Sequence, residues 1–179
     1  MRHPTALWRA FLLRPVLMGA LLMPGQTGGD PISDSSLKVA YVYHFLNLTR
    51  WPDQGATLVF GIYGESEVGR QLQATLPKKV GTRDIVFQRI STEDPHPKAC
   101  HAVFIPAVYH REMPEILGRF GSHPTVSISD APEFAHQGGA IGFVVVGDKL
   151  RFDVNQRASA AKGLQFSAKL LELARAINP

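Results

Sequence analysis

The order of apolar runs and amphipathic stretches predicts an α/β fold. It is a three-layer sandwich with a mostly parallel central sheet, an antiparallel edge hairpin and a long C-terminal helix. Three observations carry this prediction. TLVFGIYG at 57–64, HAVFIP at 101–106 and TVSIS at 125–129 are short apolar runs rich in β-formers, read as strands buried on both faces. Segments with helical spacing alternate with these runs, as parallel strands joined by crossover helices require. Near the end, two strand-like runs are separated only by Gly147-Asp148, which suits a two-residue hairpin with glycine at the positive-φ position.

Taken in order, the first helix runs from Ser35 to Trp51, with Leu37, Tyr41, Phe45 and Leu48 on its apolar face and Val42 and Leu46 beside them. Ser35 or Ser36 caps its start, and Pro52 fixes its end because the residue before proline disfavours helix. A strand at Thr57–Gly64 follows, then a short polar helix at Ser66–Thr75 and a strand at Asp84–Ile90. The strand His101–Pro106 leads to a helix at His110–Phe120, and the strand Thr125–Ser129 to a short helix at Ala131–His136. The hairpin strands are Ala140–Val146 and Lys149–Val154; in the second, Leu150, Phe152 and Val154 alternate with Arg151, Asp153 and Asn155, so one face is expected to be wet. A helix from about Gln156 to Ile177 closes the chain, its apolar side formed by Leu164, Ala168, Leu171 and Leu173.

The N-terminal residues belong to a different class. Arg2, Arg9 and Arg14 precede the uncharged stretch PVLMGALLMPGQTGG, and no acid occurs before Asp30. A basic segment, an apolar segment from Pro15 to Met23 and small residues at Thr27-Gly28-Gly29 have the order of a secretory signal. The apolar segment is short of the roughly 20 residues that a membrane span needs. The expected organisation is a signal peptide at 1–29 and one domain at 30–179, in an exported compartment.

The signal also reinterprets the charge. The formal net charge of +4 and the pI of about 9.4 suggest nucleic acid or an anionic surface. Without those three arginines the 19 Lys and Arg fall to 16 against 15 Asp and Glu, so the expected domain is near neutral and no nucleic acid partner is expected. The one cysteine, Cys100, excludes an intrachain disulfide and a four-thiolate zinc site.

No segment carries a catalytic signature. The glycines of Gly61-Ile62-Tyr63-Gly64-Glu65-Ser66-Glu67-Val68-Gly69 lack P-loop spacing and its lysine, and Glu65 and Glu67 occupy the helix N-terminus a phosphate requires. Asp130 with Glu133 reads as a helix start, with Asp130 near the cap, Pro132 early and Glu133 third, rather than as a carboxylate pair. The histidines at 44, 96, 101, 110, 123 and 136 form no i, i+4 or H-x-H pair, so no metal or other cofactor is expected. Cys100 and His101 are adjacent on a strand and point to opposite faces, which separates them as nucleophile and base; Cys100 reads as a small buried residue. Trp51 reads as a core cap. Arg151, Asp153 and Asn155 form either a plain solvated strand face or a partner-binding site, and they are the candidate partner-binding residues.

The ordered set of segments resembles the YfiR family of periplasmic proteins. It begins with Val39-Ala40-Tyr41-Val42-Tyr43-His44-Phe45-Leu46 running to Trp51-Pro52, and continues through Cys100-His101-Ala102-Val103-Phe104-Ile105. Val126-Ser127-Ile128-Ser129-Asp130, Phe134-Ala135-His136-Gln137-Gly138-Gly139 and Ile141-Gly142-Phe143 follow. Leu150-Arg151-Phe152-Asp153-Val154-Asn155 and Gly163-Leu164-Gln165-Phe166-Ser167-Ala168-Lys169-Leu170-Leu171 complete it. The resemblance implies an α/β sandwich without enzymatic activity. Such a protein would bind the periplasmic sensor region of an inner-membrane diguanylate cyclase and repress it, lowering cyclic-di-GMP and biofilm formation, with an outer-membrane lipoprotein relieving the repression. A homodimer is also open. Some members pair several cysteines, and the lone Cys100 departs from them. The alternative reading is a periplasmic small-molecule sensor, with a crevice at the carboxyl ends of the strands lined by the loops after Tyr63, Pro106 and Ser129.

Overall fold

A computed structural model describes residues 34–178; the expected signal peptide at 1–29 lies outside them. The first helix, α1 (Asp34–Asn47), leads through the short strand β1 (Thr49–Arg50) to β2 (Thr57–Tyr63). Next come α2 (Glu67–Thr75), β3 (Lys79–Val80), β4 (Arg83–Ile90) and β5 (Ala102–Ile105). A 3₁₀ turn at Ala107–Glu112 runs into α3 (Met113–Arg119), followed by β6 (Val126–Ser129) and the hairpin β7 (Ile141–Val146) and β8 (Lys149–Val154). The last elements are α4 (Gln156–Ala161), β9 (Gln165–Phe166), α5 (Ala168–Leu173) and β10 (Ala176–Ile177).

Eight strands form the main sheet in the order β10-β8-β7-β6-β5-β2-β4-β3, and β1 pairs with β9 separately. Pairing is antiparallel only at β7–β8 and β3–β4 within the main sheet, so the expected mostly parallel sheet is present. Its strands bury alternate residues on two faces. In β5, Ala102 and Phe104 join the core formed with α1 (Val42, Phe45, Leu46), while Val103 and Ile105 join the core formed with α3 (Met113, Ile116). Both faces are covered, which explains why the central strands are apolar throughout rather than alternating.

Four expectations are corrected. The first helix ends at Asn47 rather than at Trp51, because Thr49–Arg50 leave it to pair with β9. The long C-terminal helix is instead two six-residue helices and two short strands. Gly163, at φ +79, ends α4, a conformation side-chain-bearing residues rarely adopt, and Ser167 Oγ then caps α5 by accepting from the Leu170 N–H. The helix expected at Ala131–His136 is a run of turns in which Glu133 has φ +56. Its apparent cap, Asp130, points elsewhere, accepting from the Ala107 N–H at 2.9 Å. Finally, β10 pairs outside β8, so the β7–β8 hairpin is one strand in from the sheet edge. The hairpin connection itself is Gly147-Asp148 as expected, with Val146 opposite Lys149.

Candidate functional site

In an open parallel sheet, ligands favour the carboxyl ends of the strands where the chain order reverses. Here β2 lies between β4 and β5, and the reversal falls between β2 and β5. This crevice is filled from within. Gly64 turns off the end of β2 at φ +58, and Tyr109 from the 3₁₀ turn lies so close that a Cβ on Gly64 would sit 2.2 Å from its hydroxyl. The Tyr109 ring meets Tyr63 edge-on at 5.2 Å. Arg119 donates to the Tyr63 hydroxyl at 3.0 Å, to the Thr92 carbonyl at 2.7 Å and to Glu115 at 2.9 Å. Burial pushes the Tyr63 phenol above its ordinary value. On the other side of Gly64, the space between β2, β4 and α2 is about 60 Å³, against roughly 300–1,000 Å³ for small-molecule sites. The three loops expected to line a crevice do meet: Gly64, after Tyr63, lies against Tyr109, and Asp130, after Ser129, accepts from the N–H of Ala107, after Pro106.

The opposite ends of the same strands carry a polar network. Trp51 is buried at 6% exposure, the core cap the sequence suggested, and its indole N–H donates to the His101 carbonyl at 2.7 Å. His101 Nδ1 accepts the Val59 N–H at 2.9 Å. That bond makes Nδ1 an acceptor, while Nε2 lies 3.2 Å from Asp53 Oδ2 and 2.8 Å from Arg83 Nη2. Arg83 Nη2 donates to the same Asp53 oxygen at 2.8 Å and to the Thr57 carbonyl at 2.7 Å, with the guanidinium 5.8 Å from the Trp51 ring centre. Burial pushes the Asp53 carboxyl up, but the bonds from His101 and the Gly55 N–H and the nearby guanidinium outweigh it, and its pKa lies below the ordinary value. A histidine beside an aspartate has the look of a base and its orienting group. Here the lone pair that a base would use is taken by a backbone amide, so the pair holds β2 against β5. A cavity of about 430 Å³ opens beside Arg50, Asp53, Gln54 and Arg83.

Cys100 is buried at 4% exposure, and burial pushes its thiol up to about 12. Among the described residues no three His, Cys, Asp or Glu side chains converge as a metal site, and no helix is long and apolar enough to cross a membrane.

The third region is the hairpin, where the sequence placed its candidate partner residues. Arg151 is exposed. Asp153 is not: it is 3% exposed, and its carboxylate accepts from Arg175 Nε at 2.8 Å and from Arg175 Nη2. Asn155 is half-buried; its Oδ1 caps α4 by accepting from the Ala158 N–H and its Nδ2 donates to the Ala135 carbonyl, both at 2.9 Å. Of the expected wet face only Arg151 is exposed, with Lys149 two residues before it, because β10 folds beside β8 and brings Arg175 over Asp153. Alternation in β8 could not reveal this, since the covering residue lies 22 positions later in a segment that reads as helix.

A cavity of about 380 Å³ adjoins the hairpin, lined by Lys38, Asp130, Glu133, Val144, Leu150 and Arg175 among others. Lys38 donates to Asp130 at 2.9 Å and lies 3.3 Å from Asp34. Burial alone lowers the pKa of its ammonium, but the two carboxylates outweigh it and hold the value above the ordinary one. The sequence reading missed Lys38 and Arg175. No local signal sets Lys38 apart from Arg50 in the first expected helix, or Arg175 from Arg157, Lys162 and Lys169 in the last.

A solved structure, that of a conserved domain protein from Vibrio cholerae O1 biovar El Tor strain N16961, matches this fold with a TM-score of 0.55. The match is at 9% identity, which is a likeness of fold, and covers 81% of this chain and 60% of that one. The chain thus spans less than two thirds of the length of that protein. The profile of the family described as YfiR/HmsC-like matches residues 35–175, from the first turn of α1 to the arginine that pairs with Asp153. On that match the chain belongs to the YfiR/HmsC-like family.

Proposed function

We propose that this protein is a non-catalytic periplasmic regulator that binds the periplasmic sensor region of an inner-membrane diguanylate cyclase and represses it, lowering cyclic-di-GMP and biofilm formation. The observation that carries this reading is the family match over residues 35–175. The site geometry agrees with it. His101, Asp53, Arg119 and Tyr63 are engaged in holding strands and loops, while the exposed polar surface at Arg151 is available to a protein partner. Export follows from the basic and apolar order of residues 1–29. An outer-membrane lipoprotein relieves repression by sequestering the regulator.

Physically this is a population shift. The regulator displaces the cyclase equilibrium only by its differential affinity for the inactive form, and moving it from 1:99 to 99:1 takes about 10⁴-fold preference. The test is deletion of the gene with measurement of intracellular cyclic-di-GMP. A rise with a cyclase co-purifying on the protein is the expected result. An unchanged level with no cyclase recovered overturns the reading.

A second reading, a small-molecule sensor, draws on the open cavities of about 430 and 380 Å³, both within the ligand range. A thermal-shift screen of amino acids and nucleotides tests it, with stabilisation expected to grow with ligand concentration. No stabilisation counts against it.

A further inference from the structure

The hairpin runs past the rest of the sheet. β6 lies in register with β7 only at Ile128↔Ile141 and Ser129↔Gly142. At Asp130 the chain turns away, held by the Ala107 N–H and by Lys38, while β7 continues to Val146. In an antiparallel pair closed by a two-residue loop, Val146 and Lys149 exchange backbone bonds, and alternate residues then turn their polar groups outward. On β8 the outward residues are Leu150 and Phe152. Their carbonyls are satisfied, one by the Tyr41 hydroxyl at 3.4 Å and the other by the Arg175 N–H at 2.8 Å. On β7 the outward residues are Phe143 and Val145. Beyond Ser129 no strand among the described residues lies beside the Phe143 carbonyl or either backbone group of Val145. The cavity of about 380 Å³ touches both of these residues.

We infer that the free stretch of β7 from Phe143 to Val145 is a docking edge for an extended, acidic segment of a partner protein, which adds as a strand where β6 leaves off. The inference rests on the protein-binding reading of the same hairpin and names the form its partner takes. Unpaired edge groups are a template for strand addition, with backbone bonds giving affinity and alternate side chains giving selectivity. The side chains around this edge supply both parts. Val145 and Val146 are exposed at 67% and 47%, and offer apolar contact. Lys149 and Arg151 are exposed on β8 with no carboxylate paired to them among the described residues, whereas Lys38 and Arg175 are held by Asp130 and Asp153, Glu133 lies 3.7 Å from His136, and Asp148 is the exposed acid of the turn. An acidic strand meets Lys149 and Arg151 with opposite charge, while a second copy of this chain brings like charge towards like. An anionic membrane also attracts the tip but cannot satisfy the outward backbone groups.

The test is a titration of the ¹⁵N-labelled protein with the synthetic peptide TVEVTVEVT, its counterpart TVKVTVKVT, and phosphatidylcholine vesicles with and without phosphatidylglycerol. The expected result is a shift of the Val145 amide resonance, at least tenfold slower hydrogen exchange there, and at least tenfold tighter binding of the glutamate peptide than of the lysine peptide. Val145→Pro removes the outward N–H while leaving the β8 side of the ladder intact, and abolishes binding; K149E with R151E reverses the peptide preference. If Val145→Pro fails to fold, peptides N-methylated at their valines replace it, and their loss of binding supports the edge. Equal binding of the two peptides, an unmoved Val145 amide, binding retained after edge blockade, self-association through this edge, or adsorption to anionic vesicles without peptide binding each overturns the inference. Peptide binding without any effect of gene deletion on cyclic-di-GMP defeats the cyclase reading and leaves the edge standing. The converse defeats the edge alone.

Discussion

The amino ends of β2, β4 and β5 and the tip of the β7–β8 hairpin are both polar, yet they use polarity in opposite ways. Around Trp51 the charged and hydrogen-bonding groups turn inward onto one another. Arg83 reaches Asp53 and the Thr57 carbonyl, His101 takes the Val59 amide, and the indole takes the His101 carbonyl. At the hairpin Asp153 and Asn155 are likewise spent internally, but Arg151, Lys149 and the outer edge of β7 face out. The difference shows that a cluster of chemically suggestive side chains is functional only where its lone pairs and protons remain available. His101 beside Asp53 has catalytic composition with structural wiring, and the hairpin has plain composition with open valences.

Substitutions at the two regions should separate along that line. The largest expected effect is at Trp51: Trp51→Ala removes a buried aromatic and its indole bond, and should lower unfolding free energy by about 3–5 kcal/mol in a urea titration. Next comes His101→Leu, which strands the Val59 amide, with an expected loss of about 1–3 kcal/mol by the same measurement. A loss indistinguishable from zero there would mean that the network is ornamental, and the comparison fails.

The acid limb sharpens it further. Because the Asp53 carboxyl is held below its ordinary value of 3.8, its contribution is present above that pH and is lost as pH falls through the folded value. Wild type should therefore exceed Asp53→Asn in stability at neutral pH, and the gap should close below pH 3.8, read by urea midpoints across the acid range. The smallest stability effect belongs to the hairpin. Arg151→Glu should change unfolding free energy by less than about 0.5 kcal/mol while weakening capture of the proposed partner cyclase in a pull-down. A large loss of stability would make Arg151 structural and erase the contrast.

Local patterns were enough for the elements whose physics is local. The buried strands at Thr57–Tyr63, Ala102–Ile105 and Val126–Ser129 announce themselves as apolar runs, and the hairpin through Gly147-Asp148 announces itself as a turn. Trp51 and Cys100 were legible as buried residues for the same reason. The segment after Asn155 was not. Its apolar spacing satisfies a long helix, and only Gly163 and Ser167 break it, a glycine and a cap that a sequence pattern tolerates inside one helix.

By itself, the sequence determined the alternation of strands and helices, the parallel sheet and the family to which the chain belongs, because hydrophobic period and turn chemistry act over a few residues. Only the tertiary structure decided which polar residues face outward. Asp153 lies on the face that alternation predicts to be wet, and becomes buried because Arg175, just before β10, returns to it. Asp130 looks like a helix cap and becomes a tether between α1 and the turn after β5. Among the described residues no strand continues beside β7 past Ser129, because β6 ends one register step after they meet. Partners brought together from distant parts of the chain leave no local period, so exposure and pairing are properties of the folded molecule.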